Sequence, residues 1–481
     1  MNIRLILQVL GKVLLIGGAL MSLSMVVALI YQDGGFIPLL IGTAVTLAVG
    51  GILQLIKPKN KNLRSRDGFA VVALSWVFLG FCGAIPLLLS GHFHCYIDCV
   101  FEIVSGFTTT GATTLSEIES LPKSILFWRS STHWIGGMGI LVLTTALIPQ
   151  MGGRALHLLR AESTGPSPDK LLPRVSKSAK TLYALYICLS LVMVVLLLFC
   201  GMDLYDALMH TFATAGTGGF SNYNSSVGHF NSPAVDIVIG IFMLLFSLNF
   251  TIYYRMLQKE WLAPARDTET KVFLGIVAAA ALLVALNVLP LYDSFATALR
   301  HSFFQVSSIV STTGFATQDF NLWPQTSKSI LLMLMIIGGC AGSTAGGIKV
   351  IRLVILCKST GREVRNVIHP RGVHLIKLNR RALDEETVSS VAVFFSCYVM
   401  LLILAVLLVS LNGFDFETTV TSVIACITNT GPGMGAIVGP AGNFSSLSPF
   451  SKVVLTVCML IGRLDIYPVL MFLSAAAWKK N

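Results

Sequence analysis

The chain has 481 residues, of which 54% are hydrophobic and only 12% charged, with a formal net charge of +11. Soluble domains carry roughly 25% charged residues, so a water-soluble fold is excluded. The positive surplus is segregated into a few stretches, which points to membrane topology and away from a nucleic-acid partner.

Two apolar runs, Val13–Ile30 and Ile37–Ile56, open the chain, and the first reads as a retained signal anchor. Segment 57–68 follows with five Lys/Arg against one Asp. Later, 151–180 holds six basic residues against Glu162 and Asp169, and 349–386 holds nine against four acids. Basic loops stay on the cytoplasmic side, which places both termini inside, in agreement with Lys479 and Lys480. The opposite loops carry Asp33, Asp98, Glu117, Glu119, Asp203, Asp206, Asp415 and Glu417. An acidic outer face concentrates cations there.

From residue 69 onward one pattern recurs four times: a long apolar helix, a short mixed helix, a Thr/Gly-rich tract, a polar loop and a second apolar helix. The tracts are FTTTGATT (107–114), FATAGTGGF (212–220), VSTTGFAT (310–317) and ITNTGPGMG (427–435). With Gly111, Gly216, Gly314 and Gly431 taken as equivalent, they lie 105, 98 and 117 residues apart. Asp98, Asp203 and Glu417 precede their glycines by 13, 13 and 14 residues, as suits a helix N-terminus, whereas Asp293 precedes Gly314 by 21. The third short helix is therefore expected to be longer or to start differently. Short helices at membrane depth are re-entrant, and irregular backbone survives there only inside protein or beside water. The expected fold is an all-α polytopic membrane protein with ten spans and a central pore. Its parts are two N-terminal helices (1–68) and pseudo-fourfold helix–pore loop–helix repeats at 69–150, 180–258, 271–356 and 388–476.

A dehydrating ion needs oxygens in place of water, and rings of backbone carbonyls supply them. Turning successive carbonyls inward demands dihedrals that glycine adopts freely. The expected filter residues are Thr109, Thr110 and Gly111, then Ala215 and Gly216, then Thr312, Thr313 and Gly314, then Asn429, Thr430 and Gly431. None of the tracts contains a carboxylate, which suits a monovalent cation better than Ca²⁺. A single such tract is equally a helix-packing face of small residues. Four at matching spacing favour a filter.

VSGFTTTGATT, IGGCAGSTAGGIKVIR and IGRLDIYP, with RSRDGF at 64–69 and AESTGP at 161–166, resemble the Trk/Ktr superfamily, specifically its TrkH/TrkG-type membrane subunits. The resemblance covers nearly the whole chain. It implies potassium uptake at the bacterial inner membrane and a homodimer with one pore per protomer. It also implies control by a cytosolic nucleotide-binding ring of TrkA type. K⁺ ions in the filter are the metal expected, with no covalent cofactor and with nucleotide only on the partner. Glycine at all four tracts argues for potassium over sodium, while TAGTGG and TNTGPG depart from a plain TTG.

Residues 338–347, GGCAGSTAGG, hold Gly338, Gly339, Gly342, Ser343, Thr344, Gly346 and Gly347 within an apolar helix. Each glycine costs roughly 1 kcal/mol relative to alanine, so a break is expected, against the alternative of close packing around a continuous helix. The resemblance gives this segment the role of an intramembrane gate. Arg463 lies in the last apolar run, where an unpaired charge costs several kcal/mol. It either latches the glycine loop, as the resemblance implies, or snorkels or pairs with Asp465. Lys349 and Arg352 read equally as relays to the partner and as positive-inside charge. The basic stretch 358–381 reads as a docking surface or a solvated loop, and His133 as a packed helix residue or a proton carrier. His92, His94, Cys95 and Cys99 fit no zinc spacing.

A gated, channel-like uptake subunit is the expected function, with an ion-coupled K⁺ symporter (H⁺ or Na⁺) as the alternative. All four short helices enter from the same side, unlike the inverted repeats of many coupled transporters. The sequence contains no HExxH, GxSxG or GxxxxGK[ST] motif, so no enzyme is expected.

Overall fold

A computed structural model describes residues 2–58, 65–139, 175–370, 372, 374–379 and 381–466. The basic segment 151–180 up to residue 174, the AESTGP motif, Arg64 of RSRDGF, Lys479 and Lys480, and the ends of the first and fourth repeats lie outside the described residues.

The described chain is almost entirely helical. Helices α1 (Ile3–Tyr31) and α2 (Phe36–Gln54) form an antiparallel pair ahead of the repeats. The first repeat contributes α3 (Ser65–Leu89), α4 (Tyr96–Phe107) and α5 (Lys123–Gly137). The second contributes α6 (Val175–Phe199), α7 (Leu204–Ala215), α8 (Pro233–Ser247) and α9 (Phe250–Leu257). After the one-turn α10 (Ala263–Arg266), the third has α11 (Thr268–Val288), α12 (Phe295–Val310), α13 (Gln325–Ile337) and α14 (Val350–Ile368). A two-residue hairpin, β1 (Lys377–Leu378) against β2 (Arg381–Ala382), pairs Lys377 with Ala382. The fourth repeat has α15 (Glu385–Ser410), α16 (Phe416–Ile427), the short α17 (Gly435–Val438) and α18 (Pro449–Leu464).

The short helices α4, α7, α12 and α16 have 12, 12, 16 and 12 residues. Twelve residues reach about 18 Å, roughly half of a bilayer core. Asp203, Ser294 and Asp415 cap three of them, each accepting a hydrogen bond from the amide three residues on. The third is one turn longer, and Asp293 lies ahead of its cap where Asp98 lies inside the first turn of α4; together these account for its odd sequence spacing.

Among the described residues six helices are long and apolar enough to cross a membrane: α1, α2, α3, α6, α11 and α15. They present large apolar side chains outward, among them Leu29, Leu191, Leu286, Met400 and Leu407, all more than half exposed. The second helix of each repeat behaves differently from the continuous span expected. Helices α5, α8, α13 and α18 run only 15, 15, 13 and 16 residues. The chain bends by 89° between α8 and α9 and unwinds between α13 and α14. The glycine-rich segment is thus one of two interruptions among the described residues, while α5 and α18 end at Gly137 and Leu464. The sequence advertised it alone because only there are the glycines concentrated.

Candidate ion pathway

The four tracts begin where the short helices end, at the C-caps Thr108, Gly216, Ser311 and Thr428. Beyond each cap the backbone repeats one conformation. Thr109, Thr217, Thr312 and Asn429 have φ of 54°, 55°, 56° and 57°, and the glycines two residues later, Gly111, Gly219, Gly314 and Gly431, have 82°, 77°, 84° and 96°. The residue between them donates its amide to the carbonyl five residues back in every case: Thr110 to Ser105, Gly218 to Ala213, Thr313 to Ser308 and Thr430 to Ala425, at 2.8–2.9 Å. Left-handed backbone at a threonine costs about 1–3 kcal/mol. Its recurrence at one position in the repeats marks a conformation imposed by surroundings.

This geometry corrects the second tract. Gly216 is a cap with ordinary φ of −72°, and Ala215 is the last helical residue. The residue equivalent to Gly111 is Gly219, three positions later. TAGTGG offers three glycines, and the backbone selects the last.

The four glycines close a ring. A Cβ on Gly111 would strike the Gly218 carbonyl oxygen; one on Gly219 would strike that of Thr313, one on Gly314 that of Thr430, and one on Gly431 that of Thr110. Each carbonyl therefore occupies the side-chain position of the preceding repeat's glycine, and the order returns to its start. A cavity of about 310 Å³ adjoins the ring, lined by all four of these glycines together with Arg129 and Tyr223. The Thr110, Thr313 and Thr430 hydroxyls turn back onto Thr108, Ser311 and Thr428 at 2.7–2.8 Å. They brace the strands. Asn429 links the first and last tracts, donating Nδ2 to Thr110 Oγ1 and to the Met459 carbonyl, both at 2.9 Å.

The glycine loop lies directly against these tracts. Gly346 N–H donates to Thr312 Oγ1 at 2.6 Å and Gly347 N–H to the Thr428 carbonyl at 2.9 Å. Gly338, Gly342 and Gly347 adopt φ of 72°, 68° and 76°, while Gly339 packs on Ala345 and Ser247. Ser343 Oγ donates to the Cys340 carbonyl at 2.6 Å. The loop also serves the break in the second repeat. Cys340 N–H reaches Ser247 O at 3.0 Å, and Thr344 reaches Phe246 O through its amide at 3.3 Å and its hydroxyl at 3.1 Å. These are carbonyls that the end of α8 leaves without helical partners. Asn249 caps α9, accepting from Thr251 N–H at 2.9 Å.

Arg463 joins the glycine loop to the end of α5. Its guanidinium donates to Thr344 O at 2.6 Å, and to Gly136 O at 2.7 Å and Gly137 O at 2.6 Å at the end of α5. Asp465 pairs instead with Arg352 through two bonds of 3.0 and 2.8 Å. Lys349 Nζ donates to Ala345 O inside the loop. The ends of α5, α8, α13 and α18 are thus drawn together beside the carbonyl ring by the glycine loop and Arg463.

A family model described as TrkH, cation transport protein, matches residues 38–480. The chain belongs to this family. It is 39% identical over the full length of both chains to the Trk system potassium uptake protein TrkH of Salmonella typhimurium. To the Trk system potassium uptake protein TrkG of Escherichia coli it is 34% identical over 99% of each. The crystal structure of the potassium transporter TrkH from Vibrio parahaemolyticus superposes with a TM-score of 0.90 at 34% identity, covering both chains completely. The chain is accordingly a multi-pass membrane protein of a cation-transporter family.

The TrkH-family fold buries charges that sequence reading passed over. Glu102 and Arg129, 0% and 1% exposed, pair at 2.6 Å behind the ring. Glu102 also accepts from Thr113 Oγ1 and Thr114 N–H at 2.9 Å, and Arg129 donates to Ser221 O at 3.2 Å and lies 3.4 Å over the Phe220 ring. The pair joins the exits of the first two tracts. Lys452 and Asp98 pair at 2.6 Å and join the first repeat to the fourth. Glu269 Oε1 accepts from Ala341 N–H at 2.7 Å and Ile351 N–H at 3.1 Å, gripping both limbs of the glycine loop. Glu102 and Arg129 lie 27 residues apart inside otherwise apolar or small-residue surroundings, a signal that could have been read. At the outer end of α7, partial burial raises the Asp203 carboxyl above its ordinary value, and the Asp206 carboxylate adds to this. Cys95 Sγ donates to Asp98 Oδ2 at 3.3 Å, and among the described residues no His, Cys, Asp and Glu group has metal-holding geometry.

Proposed function

We propose that this protein is the membrane subunit of a potassium uptake system, carrying K⁺ inward through the ring built by its four tracts. The closed circuit of glycines and carbonyls carries this reading, because it supplies neutral oxygens around one axis, without carboxylates, at the C-terminal ends of four short helices. Those ends carry partial negative charge and favour a cation. K⁺ is the cargo, held by backbone oxygens as its water is shed. The potassium uptake named for the relatives agrees.

The glycine loop is the gate and Arg463 its latch, since the loop bonds to two tracts, to the break between α8 and α9 and to Arg463 on α18. The protein works in the bacterial inner membrane with both termini cytoplasmic, as a homodimer regulated by a nucleotide-binding ring of TrkA type. The nucleotide resides on that partner. The basic stretch 358–381 is its docking face.

Growth of a potassium-uptake-deficient bacterium at low potassium tests the reading. The wild-type chain restores growth, and Gly111→Ser abolishes it by driving a side chain into the Gly218 carbonyl. Equal rescue by both would refute the ring as the pathway. Currents in proteoliposomes that need neither a proton nor a sodium gradient separate channel-like conduction from symport.

A further inference from the structure

The pseudo-fourfold ring is broken at one place. Three tracts carry a hydroxyl on the cap residue and on the strand residue two positions on, and these bond to each other: Thr108 with Thr110, Ser311 with Thr313, Thr428 with Thr430. The second tract has Gly216 and Gly218 at these positions and so has no such brace. Two glycines flanking a strained threonine give that strand the greatest backbone freedom of the four.

The vacant volume is filled from another repeat. His133, on α5, is fully buried, and a Cβ built on Gly218 would land among Nδ1, Cγ and Cε1 of its ring. Gly216 packs against the His133 backbone carbonyl. The imidazole Nδ1 lies 2.7 Å from the Gly106 carbonyl, two residues before the first cap. A carbonyl only accepts, so Nδ1 carries the proton. On its other side the ring lies 4.0 Å, centroid to centroid, from Phe220, which directly follows Gly219. Among the described residues Nε2 has no hydrogen-bond partner. One hydrogen bond and close packing therefore hold the ring between the first short helix and the second strand.

We propose that His133 is a specificity-determining residue: its imidazole replaces the missing hydroxyl pair and keeps the second strand at the radius that suits K⁺. The proposal rests on reading the ring as a potassium filter. Without the imidazole, the glycine strand is free to move inward around a smaller ion, and discrimination against Na⁺ falls while the other three strands stay braced. His133 touches neither ion nor carbonyl ring oxygen directly; it acts through Gly218.

The test uses the full-length protein in proteoliposomes, reading the K⁺/Na⁺ permeability ratio and, separately, the folded yield by size exclusion. His133→Ala lowers the ratio by about tenfold, the factor one intramolecular hydrogen bond is worth. Gly218→Thr alone also lowers it, because its side chain collides with the ring. His133→Ala combined with Gly218→Thr restores most of the ratio, since the threonine fills the emptied volume. His133→Asn keeps a donor at the Nδ1 position, and if the alanine variant does not fold, His133→Asn with Gly218→Thr takes its place, with recovery over Gly218→Thr alone expected. A wild-type ratio in His133→Ala with only folded yield reduced overturns the proposal, as does a double variant no better than its parent singles. Gly314→Ser is the control. If it leaves the ratio unchanged, the filter reading itself fails; if it shifts the ratio and His133→Ala does not, only the role of His133 fails.

Discussion

Replacing Arg463 by alanine removes its hydrogen bonds to Thr344, Gly136 and Gly137 at once, and of these only the first touches the glycine loop. The bond to Thr344 O is 2.6 Å long, and those to Gly136 and Gly137 hold the neighbouring helix end. A hydrogen bond from a charged donor contributes about 1.5–3 kcal/mol net. Losing the Thr344 bond shifts the loop toward displaced positions by the same amount, a change of roughly 10- to 150-fold in the open-to-closed ratio. The loop retains its bonds to Thr312, Thr428, Phe246 and Ser247, so it loosens without unfolding. The assay is K⁺ efflux from proteoliposomes holding the membrane subunit alone, normalised to incorporated protein. Leak should rise by at least tenfold in Arg463→Ala, and Arg463→Lys should fall between, since one ammonium cannot span three carbonyls in the guanidinium geometry. Thermal unfolding in detergent reports any cost at Gly136 and Gly137 independently. Unchanged leak with wild-type incorporation would show that the loop does not limit conduction.

Glu269→Gln keeps the side chain's volume but converts two charge-assisted hydrogen bonds, to Ala341 and Ile351, into weaker neutral ones. The same efflux assay should show a raised leak, smaller than that of Arg463→Ala; a tighter pore would contradict the role of Glu269 as a clamp. Lys452→Met strands Asp98 in a site where the pair is 6% and 8% exposed. Loss of about 3–5 kcal/mol is expected, read as an earlier thermal transition, and Asp98→Leu added to it should recover much of the loss. Glu102→Gln leaves the Arg129 guanidinium buried beside a neutral amide. A destabilisation of similar size, about 3–5 kcal/mol, should appear as reduced folded yield, and an unaltered melting profile would mean that Ser221 and Phe220 suffice to hold Arg129.

Much of the pathway was legible in the chain because its ingredients are local. Membrane spans follow from runs of apolar residues, and each tract announces itself through Thr and Gly at a fixed distance behind a capped short helix. The glycine loop was equally visible, since five glycines in ten residues cannot continue a helix cheaply. Arg463 stood out because a lone cation in an apolar run needs acceptors. Its nearest acid, Asp465, was the natural partner by sequence, yet the carbonyls of Thr344, Gly136 and Gly137 took the arginine and Arg352 took the acid.

By itself the sequence determined that the protein is membrane-bound, that it repeats a re-entrant hairpin four times, and that those hairpins carry neutral oxygens rather than charge. Composition and short-range spacing suffice for this, because they set which backbone conformations and which solvents the chain tolerates. The tertiary structure alone decided that Gly219 and not Gly216 joins the ring, that the helix of the second repeat is interrupted as well as that of the third, and that His133 from one repeat packs against the strand of another. Those outcomes depend on which carbonyl meets which glycine across repeats about a hundred residues apart. Each strand becomes the wall of the next only when all four have assembled.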